Sequence, residues 1–114
     1  MTVQTAQTPP PDMPEDMAAS ALDAASFLKT LAHEGRLMIL CHLGTGEKSV
    51  GELEDLLSIR QAAVSQMLAR LRDEGLVATR RDGKTIYYTL SDPNTEKVIG
   101  LLYSLFCGKD EVAG

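Results

Sequence analysis

The sequence predicts a mainly α fold with one two-stranded β hairpin, and three observations carry that expectation. Apolar residues recur at helical spacing through four successive segments between residues 15 and 75. The string "LVATRRDGKTIYYTL" then alternates as two strands around Asp82–Gly83. A last helical segment opens at Asp92 and Pro93, where proline suits the first helical position. The order helix–helix–helix–helix–hairpin–helix is that of a winged helix-turn-helix.

Taken in order, residues 1–14 carry Pro9, Pro10, Pro11 and Pro14 and have little to bury, so they are expected to be a disordered arm. The folded domain is placed at 15–108, with 109–114 a flexible tail. The first helix runs from Glu15 to Ala32, with Leu22, Ala25, Leu28 and Ala32 at helical spacing. A second runs from Glu34 to Leu43 and stops at the breaker "GTG". Ser49 and Glu52 have the spacing of a capping box and open a third helix whose apolar face is Val50, Leu53, Leu56 and Leu57.

The fourth helix, "SIRQAAVSQMLARLRDEG", is the informative one. Ser58 and Gln61 repeat the capping-box spacing, and Gly75 stands where a left-handed C-terminal cap belongs. Val64, Met67, Leu68 and Leu71 form an inward stripe. Ala62, Ser65, Gln66 and Ala69 lie opposite, flanked by Arg70 and Arg72. Small and hydrogen-bonding residues with basic flanks suit close approach to base edges, although a solvated face has the same look. In the hairpin, Asp82–Gly83 predicts a tight type I′ turn with Arg80, Arg81 and Lys84 at its tip. The last helix is expected to run to about Cys107 and end at Gly108.

A chain of 114 residues fits one domain. Its net charge of −5 argues against indiscriminate nucleic-acid binding, but the charge is unevenly spread. Residues 1–59 carry three basic and nine acidic residues, residues 60–90 six basic and three acidic, and residues 91–114 two basic and four acidic. The positive charge is thus focused on the fourth helix and the hairpin. No apolar run approaches the ~20 residues that span a bilayer, and no basic-then-apolar leader opens the chain. Two cysteines cannot frame a secreted disulfide fold, so a reducing, cytoplasmic setting is expected.

The motifs "LAHEGRLMIL", "SVGELEDLL", "AAVSQMLARLRDEGLV" and "RRDGKTIYYTL" together resemble the ArsR family of small homodimeric bacterial repressors, over roughly residues 24–106. That resemblance implies a dimer joined through the first and last helices and bound to an inverted-repeat site in double-stranded operator DNA. The fourth helix would enter the major groove, and the hairpin would touch backbone or minor groove. Carried onto this chain, the DNA-contacting residues are Arg60, Gln61, Ala62, Ser65, Gln66, Arg70, Arg80, Arg81 and Lys84. Many relatives have Ser at the position of Arg60 and His at that of Met67, which leaves the base contacts open.

Metal-sensing relatives use a Cys-x-Cys pair on the third helix or Asp and His ligands on the last. Here "ELEDLLS" has no cysteine and "TEKVIGLLYSLFCG" no histidine, while His33 and His42 read as structural or surface residues. No metal or other cofactor is expected. The branch that pairs a cysteine on the second helix with one near the end of the last is the persulfide-sensing group, of the BigR and SqrR type. Cys41 and Cys107 occupy those two places, and "IRQAAVSQ" is similar to that group. The resemblance implies repression of sulfide-responsive genes and release of DNA when reactive sulfur bridges the two thiols.

Read from the residues alone, Cys41 shares a helix face with Leu37 and Met38, so plain core packing accounts for it as well as chemistry does. Cys107 points about 170° from the centre of the stripe Val98, Leu101, Leu102, Leu105 and Phe106, which favours an accessible thiol. Other readings stay open at this point. The regulator could answer to metals or general oxidants, the thiols could form a redox enzyme, or the winged helix could serve protein contacts only. Against an enzyme, the chain has no Gly-rich phosphate loop and no nucleophile–base–acid spacing.

Overall fold

The computed structural model describes residues 15–107, so the expected arm and tail lie outside the described residues, as does Gly108. Helices α1 (Glu15–Leu31) and α2 (Glu34–Leu43) are followed by strand β1 (Lys48–Ser49) and helices α3 (Val50–Leu57) and α4 (Gln61–Asp73). Strands β2 (Val77–Asp82) and β3 (Thr85–Leu90) form the hairpin, and α5 (Pro93–Phe106) closes the order. No described helix is long and apolar enough to cross a membrane.

Local chemistry sets most of these boundaries. His33 caps α2, its Nδ1 accepting the Arg36 N–H at 3.3 Å. At α3 the capping box is complete: Ser49 Oγ accepts the Glu52 N–H at 3.1 Å, and Glu52 accepts the Ser49 N–H at 2.8 Å. Asp92 caps α5 by accepting the Thr95 N–H at 3.1 Å. At the end of α4, Gly75 takes φ 77°, and the Leu76 and Gly75 N–H groups reach the Leu71 and Arg72 carbonyls, each at 3.0 Å. This is a Schellman closure, and buried Leu71 and Leu76 supply its apolar contact.

Three local expectations are corrected. Ser58 does not open α4. It is the left-handed C-cap of α3, at φ 56° and ψ 43°, and Arg60 is the N-cap of α4 without a side-chain bond. The tight α3–α4 corner needs that backbone reversal, so Ser58 closes one helix instead of starting the next. In the hairpin, Asp82 pairs with Thr85, which makes Gly83 and Lys84 the central turn residues. Only Gly83 has positive φ, the pattern of a type II′ turn with glycine first, where type I′ would need both. The sheet has three strands in the order β1-β3-β2, because Lys48 and Ser49 pair with Tyr88 and Tyr87. Two residues are too few to leave an alternating pattern.

The core lies where α2, α3 and α4 meet, with Ile39, Leu40, Leu53, Val64, Leu68 and Leu71 fully buried. Each such side chain contributes about 1.5–3 kcal/mol on leaving water. The inward stripe expected of α4 is there, with Met67 half-buried at its edge. On α1 the burial falls on Thr30 and Leu31, whereas Leu22, Ala25, Leu28 and Ala32 face solvent in the single chain. On α5 the inward residues are Thr95 and Ile99, and Leu101, Leu105 and Phe106 are exposed.

Candidate functional site

The outward face of α4 is built as its periodicity implied. Gln61, Ala62, Ser65, Gln66 and Ala69 are all exposed, and so is Arg60 at its start. Leu68 and Leu71 hold the opposite face in the core, and the Ser58 corner sets the angle at which α4 leaves α3. Because Arg60 offers no side-chain acceptor, the first-turn N–H groups are left to partners outside the helix.

The basic residues divide into two groups. Arg70 is ion-paired with Glu74, which also accepts a 2.6 Å hydrogen bond from Thr30 Oγ1. Those bonds, Arg70's first and Thr30's second, hold the Glu74 carboxyl below its usual range. Arg80 makes a two-pronged bond to Glu47, at 2.9 and 2.7 Å, and its guanidinium lies 4.7 Å from the Tyr87 ring centre. The Arg80 bond lowers Glu47 and raises Arg80 in turn. Arg60, Arg72, Arg81 and Lys84 have no carboxylate partner among the described residues. Glu47, in the loop before β1, escaped the sequence reading because it meets Arg80 across 33 positions.

The two cysteines are free thiols on different elements. Cys41, half-buried on α2, packs against the core, and Cys107 is the exposed C-cap of α5, its N–H bonded to Tyr103 O at 2.7 Å. Burial raises the Cys41 thiol above its ordinary range, and the nearby Cys107 raises it further. The fold has brought them within electrostatic reach. Helical spacing puts Cys107 in one row with Glu96, Gly100 and Tyr103. Those three residues line a cavity of about 420 Å³ with Cys41, Gly44, Thr45, Leu90 and Ile99. The expected accessibility of Cys107 is therefore met, with a correction to its reason. The stripe it avoids is largely solvent-facing, and Cys107 continues the row of Glu96, Gly100 and Tyr103.

Neither Glu96 nor Tyr103 was singled out from the sequence. Their i, i+7 spacing, continued to Cys107 at i+11, was the signal available. Among the described residues, no group of three or more His, Cys, Asp and Glu side chains converges on a point that could hold a metal ion.

Comparison with known proteins bears on the family and its fold. Residues 33–79 match the family model described as bacterial regulatory protein, arsR family. The chain is 48% identical over 95 residues to the biofilm growth-associated repressor of Agrobacterium fabrum, covering 83% of this chain and 81% of that protein. Among solved structures, reduced HlyU from Vibrio cholerae has a TM-score of 0.79 and 45% identity, covering 82% of this chain and 99% of that one. The transcriptional repressor BigR from Xylella fastidiosa has a TM-score of 0.76 and 45% identity, covering 83% and 94% respectively.

Proposed function

The chain belongs to the arsR family of bacterial regulatory proteins, and on that premise we propose that it is a dimeric repressor that releases operator DNA when reactive sulfur joins Cys41 to Cys107. As a family member with the winged helix-turn-helix of HlyU and BigR, it is a DNA-binding transcriptional regulator and not an enzyme. The observation that carries the sulfur reading is the pair of free thiols on α2 and α5, near enough for one to perturb the other. A bridge there ties α2, which supports the reading unit, to the helix that carries the exposed apolar row.

That row supports the dimer. Leu101, Leu105 and Phe106 on α5, with Leu22 and Leu28 on α1, are large apolar side chains left in solvent by a single chain, Leu22 and Phe106 at 74% exposure each. On DNA, Ser65 and Gln66 read base edges from α4, and Arg60, Gln61 and Ala62 approach backbone at its start. Arg81 and Lys84 bind phosphate or minor groove from the hairpin tip, while Arg70 and Arg80 act from within their ion pairs.

The bridging chemistry balances with two equivalents of an organic persulfide. One gives its outer sulfur to a cysteine thiol and leaves as the thiol, R–SH. The resulting Cys–S–SH and the second cysteine are joined as Cys–S–S–S–Cys, a two-electron oxidation. The second persulfide takes those electrons and the two protons, and its S–S bond is reduced to R–SH and hydrogen sulfide. Peptide mapping by mass spectrometry after persulfide treatment, run beside DNA-binding titrations, tests the proposal. A Cys41–Cys107 link carrying added sulfur, with loss of binding in step, is the expected result. A Cys107→Ser protein that still releases DNA on treatment would return Cys41 to core packing.

A further inference from the structure

A bridge of a few sulfur atoms needs far less room than the cavity beside Cys41 provides. At about 420 Å³ it has the size of a small-molecule pocket. Its floor is apolar, from Leu90 and Ile99, and its polar groups are few: the Cys41 thiol, Thr45, Tyr103 and the carboxylate of Glu96. Among the described residues, Glu96 is the one charged side chain in that lining. Gly100 sits in the middle of α5, where glycine is unfavourable relative to alanine, yet a Cβ there would meet no atom within 4 Å. Packing does not demand glycine at this position. What the missing side chain leaves is open space in the wall facing Cys41.

We propose that this cavity binds the organic group of a small amine-bearing persulfide, with Gly100 keeping the space open and Glu96 pairing with the ammonium group. The proposal rests on the dithiol reading above and adds the class of sulfur donor. Cys41 attacks the outer sulfur of the bound R–S–SH, the S–S bond breaks, and the proton passes to the departing R–S⁻. The products are Cys41–S–SH and R–SH, with no net oxidation. Burial keeps Cys41 largely in the slow thiol form, so holding the donor beside it supplies rate that nucleophilicity does not.

The test follows bridge formation by mass spectrometry with cysteamine persulfide, thioglycolate persulfide and sodium tetrasulfide, on the native protein, Gly100→Leu and Glu96→Gln. In the native protein the cationic donor should outpace the anionic one by at least about fivefold, the factor of one attractive unit-charge pair near 4 Å in water before the repulsion of the anion is added. Glu96→Gln should abolish that preference. Gly100→Leu should slow the organic donors about tenfold, the scale set by a side chain of the wrong size in a pocket, and leave tetrasulfide unaffected. If Gly100→Leu slows none of the three, or all equally, or if Glu96→Gln keeps the preference, the donor site is overturned while the bridge itself stands. Absence of any bridge in the native protein with all three reagents would overturn the dithiol reading and the donor site together.

Discussion

Cys41 and Cys107 are the same chemical group in two settings, and the difference is in what surrounds each sulfur. Cys41 is backed by the core and faces a cavity, so its proton is held more tightly than in solution. Alkylation of Cys41, followed by peptide mapping across pH, should reach half its limiting rate only above the usual thiol range near pH 8.5. Half-reaction at or below that value would refute the burial argument. The sign for stability is the same: the proton bound more tightly in the folded state favours folding at neutral pH, and that contribution is lost as pH rises through the raised pKa. On the DNA side, the exposed Gln66 amide can bond adenine twice. Gln66→Ala should relax preference at one base pair by about 1–3 kcal/mol, read by competition between operator variants. A uniform loss on every sequence would place Gln66 on the backbone instead.

At the scale of elements, two networks fix how the reading unit is held. Thr30 on α1 bonds Glu74, which pairs with Arg70 on α4, and Arg36 Nε bonds the Thr30 carbonyl at 3.0 Å. Thr30→Val should cost about 1 kcal/mol in denaturant unfolding at pH 7. Because the Glu74 pKa is lowered on folding, its contribution is present above its unfolded value near 4.3 and lost as pH falls through the folded one. The gap between native and Thr30→Val proteins should therefore narrow below about pH 4, and a gap constant with pH would disprove the link. The wing is held by Arg80 on Glu47, whereas Arg81 and Lys84 are exposed and have no carboxylate partner among the described residues. Arg81→Ala should weaken all sequences alike and reduce the salt slope by about one, with Arg80→Ala doing less. Equal slopes for the two variants would show that Glu47 gives up Arg80 on DNA.

For the whole molecule, the apolar rows of α1 and α5 are the unfinished surface. Light scattering should find a dimer at micromolar concentration, and Leu28→Glu should shift it toward monomer. Each half-site would then be bound alone, and the avidity of two linked reading heads would be lost. A native protein that stays monomeric under these conditions would sink the dimer proposal.

The sequence by itself determined the element order, most caps and the inward stripe of α4, because these depend on neighbours within four residues along one helix. It also determined where positive charge collects and, through a family likeness spread over four motifs, which class of regulator this is. Tertiary structure alone decided the rest. The third strand, the role of Ser58, the Glu47–Arg80 clamp and the Thr30–Glu74 tie join residues far apart in the chain or depend on a corner whose geometry its neighbours impose. Periodicity also finds apolar faces without saying what covers them, which is why the rows on α1 and α5 read as apolar stripes and proved solvent-facing in the single chain. The electrostatic influence of Cys107 on Cys41 is of the same kind: 66 positions separate them, and only the packing of α5 against α2 lets one thiol act on the other.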